Sequence, residues 1–172
     1  MKRLNKKAFP KNDRIPFDQL MELSSNNHFD FLAIKNGETF IGFYLIAKDP
    51  GNVYVFFFAV TKKQQSKGYG RQILDALIEY YPHQQIVLDL EEMDETEPNA
   101  AHRETKKEYY EENGFHETGY DLKYAGRQYE LLCSRKAFDK ASFTALLKEI
   151  GPIINTIKPE KFEPEILARR SE

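Results

Sequence analysis

Apolar positions recur along this chain at two different spacings, and the changes of spacing mark its elements. Phe17, Leu20 and Met21 fall at helical spacing in PFDQLMELSSNN, with a polar stop behind them, which predicts a short helix. A further helical turn is possible before Pro10. FDFLAI and TFIGFYLIAK, separated by KNGE, read as two strands joined by a glycine-containing turn. DPGN gives a second turn. VYVFFFAV is a third strand, apolar on both faces, which suits the middle of a sheet. Ile73, Leu74, Leu77, Ile78 and Tyr81 share one helical face, and Pro82 ends it. QIVLDLE is another buried strand. The acidic run EEMDETEPN follows, with six carboxylates in residues 89 to 97 once Asp89 is counted. A helix is predicted from about Ala100 to Glu112, stopping at the C-cap pair Asn113-Gly114. FHETGYDLKYA and QYELLCS form a terminal hairpin. Phe143, Leu146, Leu147 and Ile150 mark an amphipathic helix that Gly151-Pro152 should end. The remainder is a tail containing proline and glutamate.

The predicted order is helix, three strands, helix, strand, helix, two strands, helix. Hairpins at both ends flank a strand–helix–strand unit. That describes a mixed α/β sheet and not a doubly wound parallel one.

Composition narrows the class. A chain of 172 residues suits one domain with a real core, and 13 Phe and 10 Tyr argue against disorder. The net charge of -2 gives no global pull toward nucleic acid or an anionic membrane. MKRLNKKAF carries basic residues without an apolar stretch, unlike a secretory leader. VYVFFFAV, the longest apolar run, falls far short of the roughly 20 residues of a membrane helix. The single cysteine, Cys133, lies in the strand-like YELLCS, excludes an internal disulfide and suits a reducing cytoplasm. His28, His83, His102 and His116 show no metal spacing, so no metal is expected.

The stretch with chemistry is QQSKGYGRQIL. A P-loop would need G-x-x-x-x-G-K-[ST], which is absent. A dinucleotide fingerprint would need a third glycine where Ile73 stands. What remains is a buried strand ending at Val60, a polar loop, and Gln65-Ser66-Lys67-Gly68-Tyr69-Gly70 opening a helix. Successive backbone N–H groups at a helix start make a nest for anions, and glycines let that backbone touch a pyrophosphate. Further on, EYYEENGF places Tyr110 four residues before Gly114-Phe115.

Taken together and in this order, the two stretches resemble the GNAT superfamily of acyl-CoA-dependent N-acyltransferases. Its phosphate loop [QR]-x-x-G-x-[GA] is met by Gln65, Gly68 and Gly70, and its Tyr-x-x-x-Gly-Phe pattern by Tyr110, Gly114 and Phe115. The resemblance spans roughly residues 16 to 134. It implies an α/β (α+β) fold with a mixed, mostly antiparallel central sheet, helices on both faces and splayed central parallel strands. Residues 1–135 would form the acetyltransferase domain, and 136–172 a helix and tail packed on it or on a dimer partner.

The resemblance also assigns roles. Main-chain groups of Phe58 and Val60 would pair with the pantetheine arm of acetyl-CoA. Gln65, Ser66, Lys67, Gly68, Tyr69 and Gly70 would take the pyrophosphate, with Arg71 beside them, and Asn99 could contact the pantetheine or simply cap a helix. The family often has Asn seven residues before the tyrosine; Arg103 stands there. Tyr110, holding its proton at neutral pH, would protonate the leaving thiolate. The attacking amine must be neutral, so a base would help. In the histone-modifying branch a glutamate serves, but the aligned residue is Tyr54. Glu91 and Glu92 are the candidate replacements. The expected reaction is acetyl transfer from acetyl-CoA to a primary amine. Acids from Glu91 to Glu97 would favour a cationic small molecule or a lysine side chain. The alternative is a non-catalytic acyl-CoA-binding or sensing module. No nucleic-acid or membrane partner is expected, and the protein would be a monomer or homodimer.

Overall fold

The computed structural model describes residues 1–9, 14–65, 67–91, 100–157 and 162–169. Along the chain these form α1 (Lys2–Ala8), α2 (Phe17–Leu23), β1 (Phe29–Asn36), β2 (Thr39–Lys48), β3 (Asn52–Val60), α3 (Lys62–Gln65), α4 (Gly70–Tyr80), β4 (Gln85–Glu91), α5 (Ala100–Glu112), β5 (His116–Tyr124), β6 (Arg127–Cys133), α6 (Lys140–Ile154) and β7 (Glu165–Ala168). One sheet holds all seven strands in the order β1-β2-β3-β4-β6-β5-β7. Every neighbouring pair is antiparallel except β3 and β4. This is the mixed α/β sheet that the pattern of apolar positions predicts, and mostly antiparallel as the family resemblance implies.

Alternation along the strands divides the core between two faces. On one, Tyr54, Val87, Leu131, Cys133 and Leu122 meet Leu20 and Leu23 of α2 and Phe143, Leu146, Ile150 and Ile154 of α6. On the other, Val53, Ile86, Leu88 and Leu132 meet Ile73, Leu74 and Leu77 of α4, with Tyr109 and Tyr110 of α5 at the margin. Helices therefore cover both faces of the sheet. Among the described residues, no helix is long and apolar enough to cross a membrane.

Two expectations need correction. Helix α6 does not stop at Gly151-Pro152 but runs to Ile154, with Pro152 inside it. A proline in the last turn loses one hydrogen bond, and burial of Gly151 and Ile154 holds that turn in place. The tail is not wholly irregular either. Residues 165–168 pair antiparallel with β5, Tyr120 opposite Ala168 and Lys123 opposite Glu165. The β5–β6 hairpin is therefore not the sheet's edge. A four-residue strand carries too little periodicity to be seen in sequence.

The parallel pair positions the site. Strands β3 and β4 stay in register only at Asn52–Gln85, Val53–Ile86 and Tyr54–Val87. Beyond Tyr54 the β2–β3 register shifts, Ile46 facing Val55 and Leu45 facing Phe57, so Phe56 is one residue too many. A bulge of this kind bends its strand and increases its twist. Phe56 and Phe57 consequently pack on the same face, against the α6 cluster. From there to Val60 the bent strand leaves β4, and a gap opens between the two.

The closed end of the gap is held by polar groups. Asn52 and Gln85 are buried, and Gln85 Nε2 donates to Asn52 Oδ1 at 2.6 Å. Asn52 Nδ2 donates to Asp49 and to Ser142 Oγ of α6. Gln85 also receives the N–H of Asp139, the residue that caps α6. These partners satisfy groups that would otherwise be costly to bury.

Candidate functional site

On the open side of the gap, β3 offers main-chain groups. Thr61 N–H bonds the Ile41 carbonyl at 2.9 Å, continuing the β2–β3 ladder. Backbone groups alternate in direction along a strand. Ala59 therefore addresses β2, whereas Phe58 and Val60 turn their N–H and C=O toward the gap. The Val60 carbonyl accepts the side-chain amide of Gln65 at 3.0 Å.

The loop after β3 winds into α3 and then into α4. Gln65 N–H bonds the Thr61 carbonyl and Lys67 N–H bonds that of Gln64, at 3.1 and 3.2 Å. The N–H groups of Gly68, Tyr69 and Gly70 have no acceptor among the described residues. No side chain caps the start of α4. The amides and positive end of this helix start suit phosphate oxygens. Gly68, at φ +72°, holds the left-handed conformation of that turn with open space around its Cα. At Gly70 the need is different: a Cβ would overlap the Tyr109 ring, so the glycine lets α4 lie against α5. Lys67 and Arg71 are exposed beside this loop, and Arg71 lies 3.6 Å from Asp75 across one helical turn. Tyr69 places its hydroxyl 3.4 Å from Asn36 Nδ2. Ser66, Glu92 and Asn99 lie outside the described residues.

Tyr110 owes its position to the end of α5. Phe115 N–H bonds the Tyr110 carbonyl at 3.0 Å, and Gly114 N–H that of Glu111 at 3.2 Å. Gly114 has φ +90°. Those two bonds define a Schellman motif, whose usual apolar contact is made by the Tyr110 and Phe115 rings with centroids 5.8 Å apart. The Tyr-x-x-x-Gly-Phe spacing is therefore a helix stop that fixes the tyrosine. Burial pushes the Tyr110 hydroxyl well above the ordinary tyrosine range, and the neighbouring Tyr109 and Asp89 reinforce the shift. It remains a proton donor at neutral pH.

Across the gap stands Asp89. It projects from β4 on the α6 face, opposite Leu131 of β6. Tyr54, 1% exposed, donates its hydroxyl to Asp89. Tyr54 is thus bonded to a carboxylate from the next strand. Glu91 points the same way two residues on, 3.5 Å from Arg127. Asp89 is the residue that reading the sequence passed over, as one acid among six. Its signal was an acid set between the apolar residues Leu88 and Leu90, on the face that Val87 shares. Cys133 is fully buried, its thiol pushed up by burial and held 3.7 Å from Gln85. It is a core residue and no nucleophile.

A splayed parallel pair, an amide cradle at a helix start and a tyrosine at a helix stop define an acyltransferase-like α/β protein. The sequence matches the model of the Acetyltransferase (GNAT) family over residues 1–115, and the chain belongs to that family. No curated protein matches it significantly. Solved structures share the fold. A protein assigned to the GNAT acetyltransferases from Bacteroides thetaiotaomicron is 21% identical, covering 92% of this chain and 91% of its own, with a TM-score of 0.71. An aminoglycoside 6'-N-acetyltransferase in complex with coenzyme A is 15% identical over 80% of this chain and 91% of its own, with a TM-score of 0.59. The spermidine/spermine N-acetyltransferase of Vibrio cholerae is 18% identical over 68% and 75%, with a TM-score of 0.52.

Proposed function

We propose that this protein is a cytoplasmic N-acetyltransferase that moves the acetyl group of acetyl-CoA directly onto a primary amine. The observation that carries this reading is the gap itself, with main-chain groups of Phe58 and Val60 along one edge and Tyr110 beside it. Acetyl-CoA, when bound, supplies an activated acyl group as a thioester. The residues present fit it. The amides of Gly68, Tyr69 and Gly70 and the first turn of α4 receive the pyrophosphate, with Lys67 and Arg71 adding positive charge. The edge at Phe58 and Val60 pairs with the amide-bearing arm as an added strand would. Tyr110 gives its proton to the departing sulfur, which would otherwise leave as an anion in a partly desolvated site.

The experiment is thiol release from acetyl-CoA, followed with a thiol-reactive dye over a panel of amines. Amine-dependent release with matching acetylated product is expected. Tight acetyl-CoA binding without release on any amine would replace this reading with a binding or sensing module.

A further inference from the structure

Helix α5, which carries Tyr110, has little apolar surface to seat it. Among its side chains from Glu104 to Glu112, only Lys107, Tyr109 and Tyr110 are not exposed, and one of those three is a lysine. The two tyrosines are accounted for. The Tyr109 ring fills the space that a Cβ at Gly70 would take, and Tyr110 packs on Phe115. Lys107 stands three residues before Tyr110, about one helical turn away and on the same side of the helix. Its ammonium reaches the sheet, where it donates to Glu117 of β5 and lies 2.8 Å from Glu130 of β6. Burial opposes the charge on Lys107, but the two carboxylates outweigh it, so the group stays an ammonium.

Glu130 is the centre of this seat. Its side chain is only 2% exposed, and one of its oxygens, Oε1, is shared by two cations from different elements. Lys107 lies 2.8 Å from it, and Arg169, just past β7, 2.7 Å from it. Arg169 also lies 3.6 Å from Asp121 Oδ1, and the other oxygen of Asp121 accepts from Gln128 Nε2 at 2.9 Å. Strand pairing brings these groups together. Register sets Asp121 of β5 opposite Glu130 of β6. On the other side of β5, the Arg169 N–H donates to the Gly119 carbonyl at 2.9 Å, carrying the β5–β7 pairing one residue past Ala168. A carboxylate this buried needs its cations, because an uncompensated charge there is costly. Both carboxylates that hold Lys107, and Arg169 with them, lie beyond residue 115, where the family match ends.

Resting on the transferase reading above, we infer that Lys107 is a positioning residue for Tyr110, and that the segment ending in β7 takes part in the geometry of the site through Arg169, which holds the carboxylate on which Lys107 is seated. A helix fixed only at its last turn can still roll about its axis. The contact of Tyr110 with Phe115 fixes the end of α5, and the tie from Lys107 to Glu130 fixes the turn before it. Two points one turn apart set the roll, and with it the direction of the Tyr110 hydroxyl. Supporting contacts of this kind hold a functional group to within about 0.5 Å. A misplacement of about 1 Å can cost about 100-fold in rate. Glu130 and its two cations thus link the strand that follows α6 to the helix that bears Tyr110.

The test compares full-length variants by three readings. They are kcat and the KM for acetyl-CoA from thiol release, the thermal melt, and the NMR ring signal of Tyr110 in protein carrying labelled tyrosine, identified by its loss in Tyr110→Phe. Lys107→Met keeps the aliphatic stem and removes the charge. It should shift the Tyr110 signal and lower kcat about 10- to 100-fold, with little change in the KM for acetyl-CoA. Lys107→Arg should recover most of that loss. Arg169→Gln, acting through Glu130, should shift the same signal and lower kcat less. Lys107→Met joined to Glu130→Gln removes the uncompensated charge, so it should recover the melt without recovering kcat. Recovery of both would show that Lys107 serves stability alone and would overturn the inference. An unmoved kcat and Tyr110 signal in Lys107→Met would overturn it too, and the same result in Arg169→Gln decides the matter if Lys107→Met does not fold. If the parent releases no thiol on any amine, the transferase reading falls, while the Tyr110 signal still tests the seat of α5.

Discussion

The two flanks of the β3–β4 gap are made of different material. The flank assigned to acetyl-CoA is mostly backbone: the N–H and C=O of Phe58 and Val60, the amides of 68–70, a glycine that admits Tyr109, and a Schellman stop that aims Tyr110. It lies wholly within the family-matched residues 1–115. The flank on the Asp89 side is side chains, drawn from β3, β4, β5, β6 and the segment after α6. Backbone geometry demands particular residues at fixed short spacings, because only some residues adopt it. A wall of side chains can be assembled from any elements the fold brings together. One flank is therefore suited to being constant and the other to varying, on a single scaffold.

The severest way to break this contrast is to remove the later part of the chain. Truncation after Arg135 deletes Phe143, Leu146, Ile150, Ile154 and Phe162, none more than 3% exposed. Burial of each is worth about 1.5–3 kcal/mol, and their sum rivals the roughly 5–15 kcal/mol that holds a domain folded. The shortened chain should lose its cooperative thermal transition. A sharp melt near that of the full chain would show that the Asp89 flank is an accessory and not part of the core.

Next in size is Tyr110→Phe. The ring keeps its contact with Phe115, so the helix stop survives and coenzyme A affinity should not change. The loss of the proton should lower kcat by about 100- to 10,000-fold. An unchanged kcat would move the acid elsewhere and leave the backbone flank without its one chemical side chain.

Smaller effects separate the two glycines. Gly70→Ala drives a methyl into the Tyr109 ring, and should cost about 1–3 kcal/mol of stability through overpacking, along with acetyl-CoA affinity. Gly68→Ala meets nothing and should cost only about 1 kcal/mol, the strain of a left-handed residue. Denaturant melts and calorimetry on both variants give the comparison. Equal losses would mean that the approach of α4 to α5 does not govern the cradle.

The mildest prediction concerns alkaline pH. Tyr44 and Tyr54 are buried, and burial raises both hydroxyls above the ordinary tyrosine value of 10.0. A pKa raised on folding gives stability that is fully present below the unfolded value and lost as pH rises past it. Above about pH 10 the unfolded chain releases protons that the folded one keeps, so each such tyrosine removes about 1.4 kcal/mol per pH unit. Tyr110 is raised in the same sense, chiefly by burial. The limb of kcat that reports its ionisation should lie above pH 10, measured where the protein is still folded. A fall with a midpoint below pH 10 would assign the acid to a less buried group.

How much of this could be read in the sequence follows the same division. Strands of five or more residues with clear alternation, and helices with an apolar face, announced themselves. So did the two motif stretches, because each encodes a turn that constrains residue identity. Residues 165–168 did not, since EILA is as compatible with a loop as with an edge strand. Pro152 misled, because burial of Gly151 and Ile154 outweighs the lost hydrogen bond. Asp89 was in plain view but carried no weight until Tyr54, Tyr124 and Tyr129 were seen around it, and those lie 35 positions before it and 35 and 40 after it. Long-range side-chain convergence leaves no local periodicity to read.

Phe56 gives the bulge a meaning at the level of the gene. The opening between β3 and β4 begins at one surplus residue, not at an unusual one. Loss of a single codon there would let Val55 and Phe57 pair consecutively with Ile46 and Leu45. Phe57 would no longer share a face with its neighbour, and β3 would lose the bend that carries it away from β4. The deleted chain should be a sheet with a closed seam, able to fold while the cleft it needs for chemistry never forms. Substitution libraries, however deep, would miss this dependence; it is exposed only by varying the length of the strand.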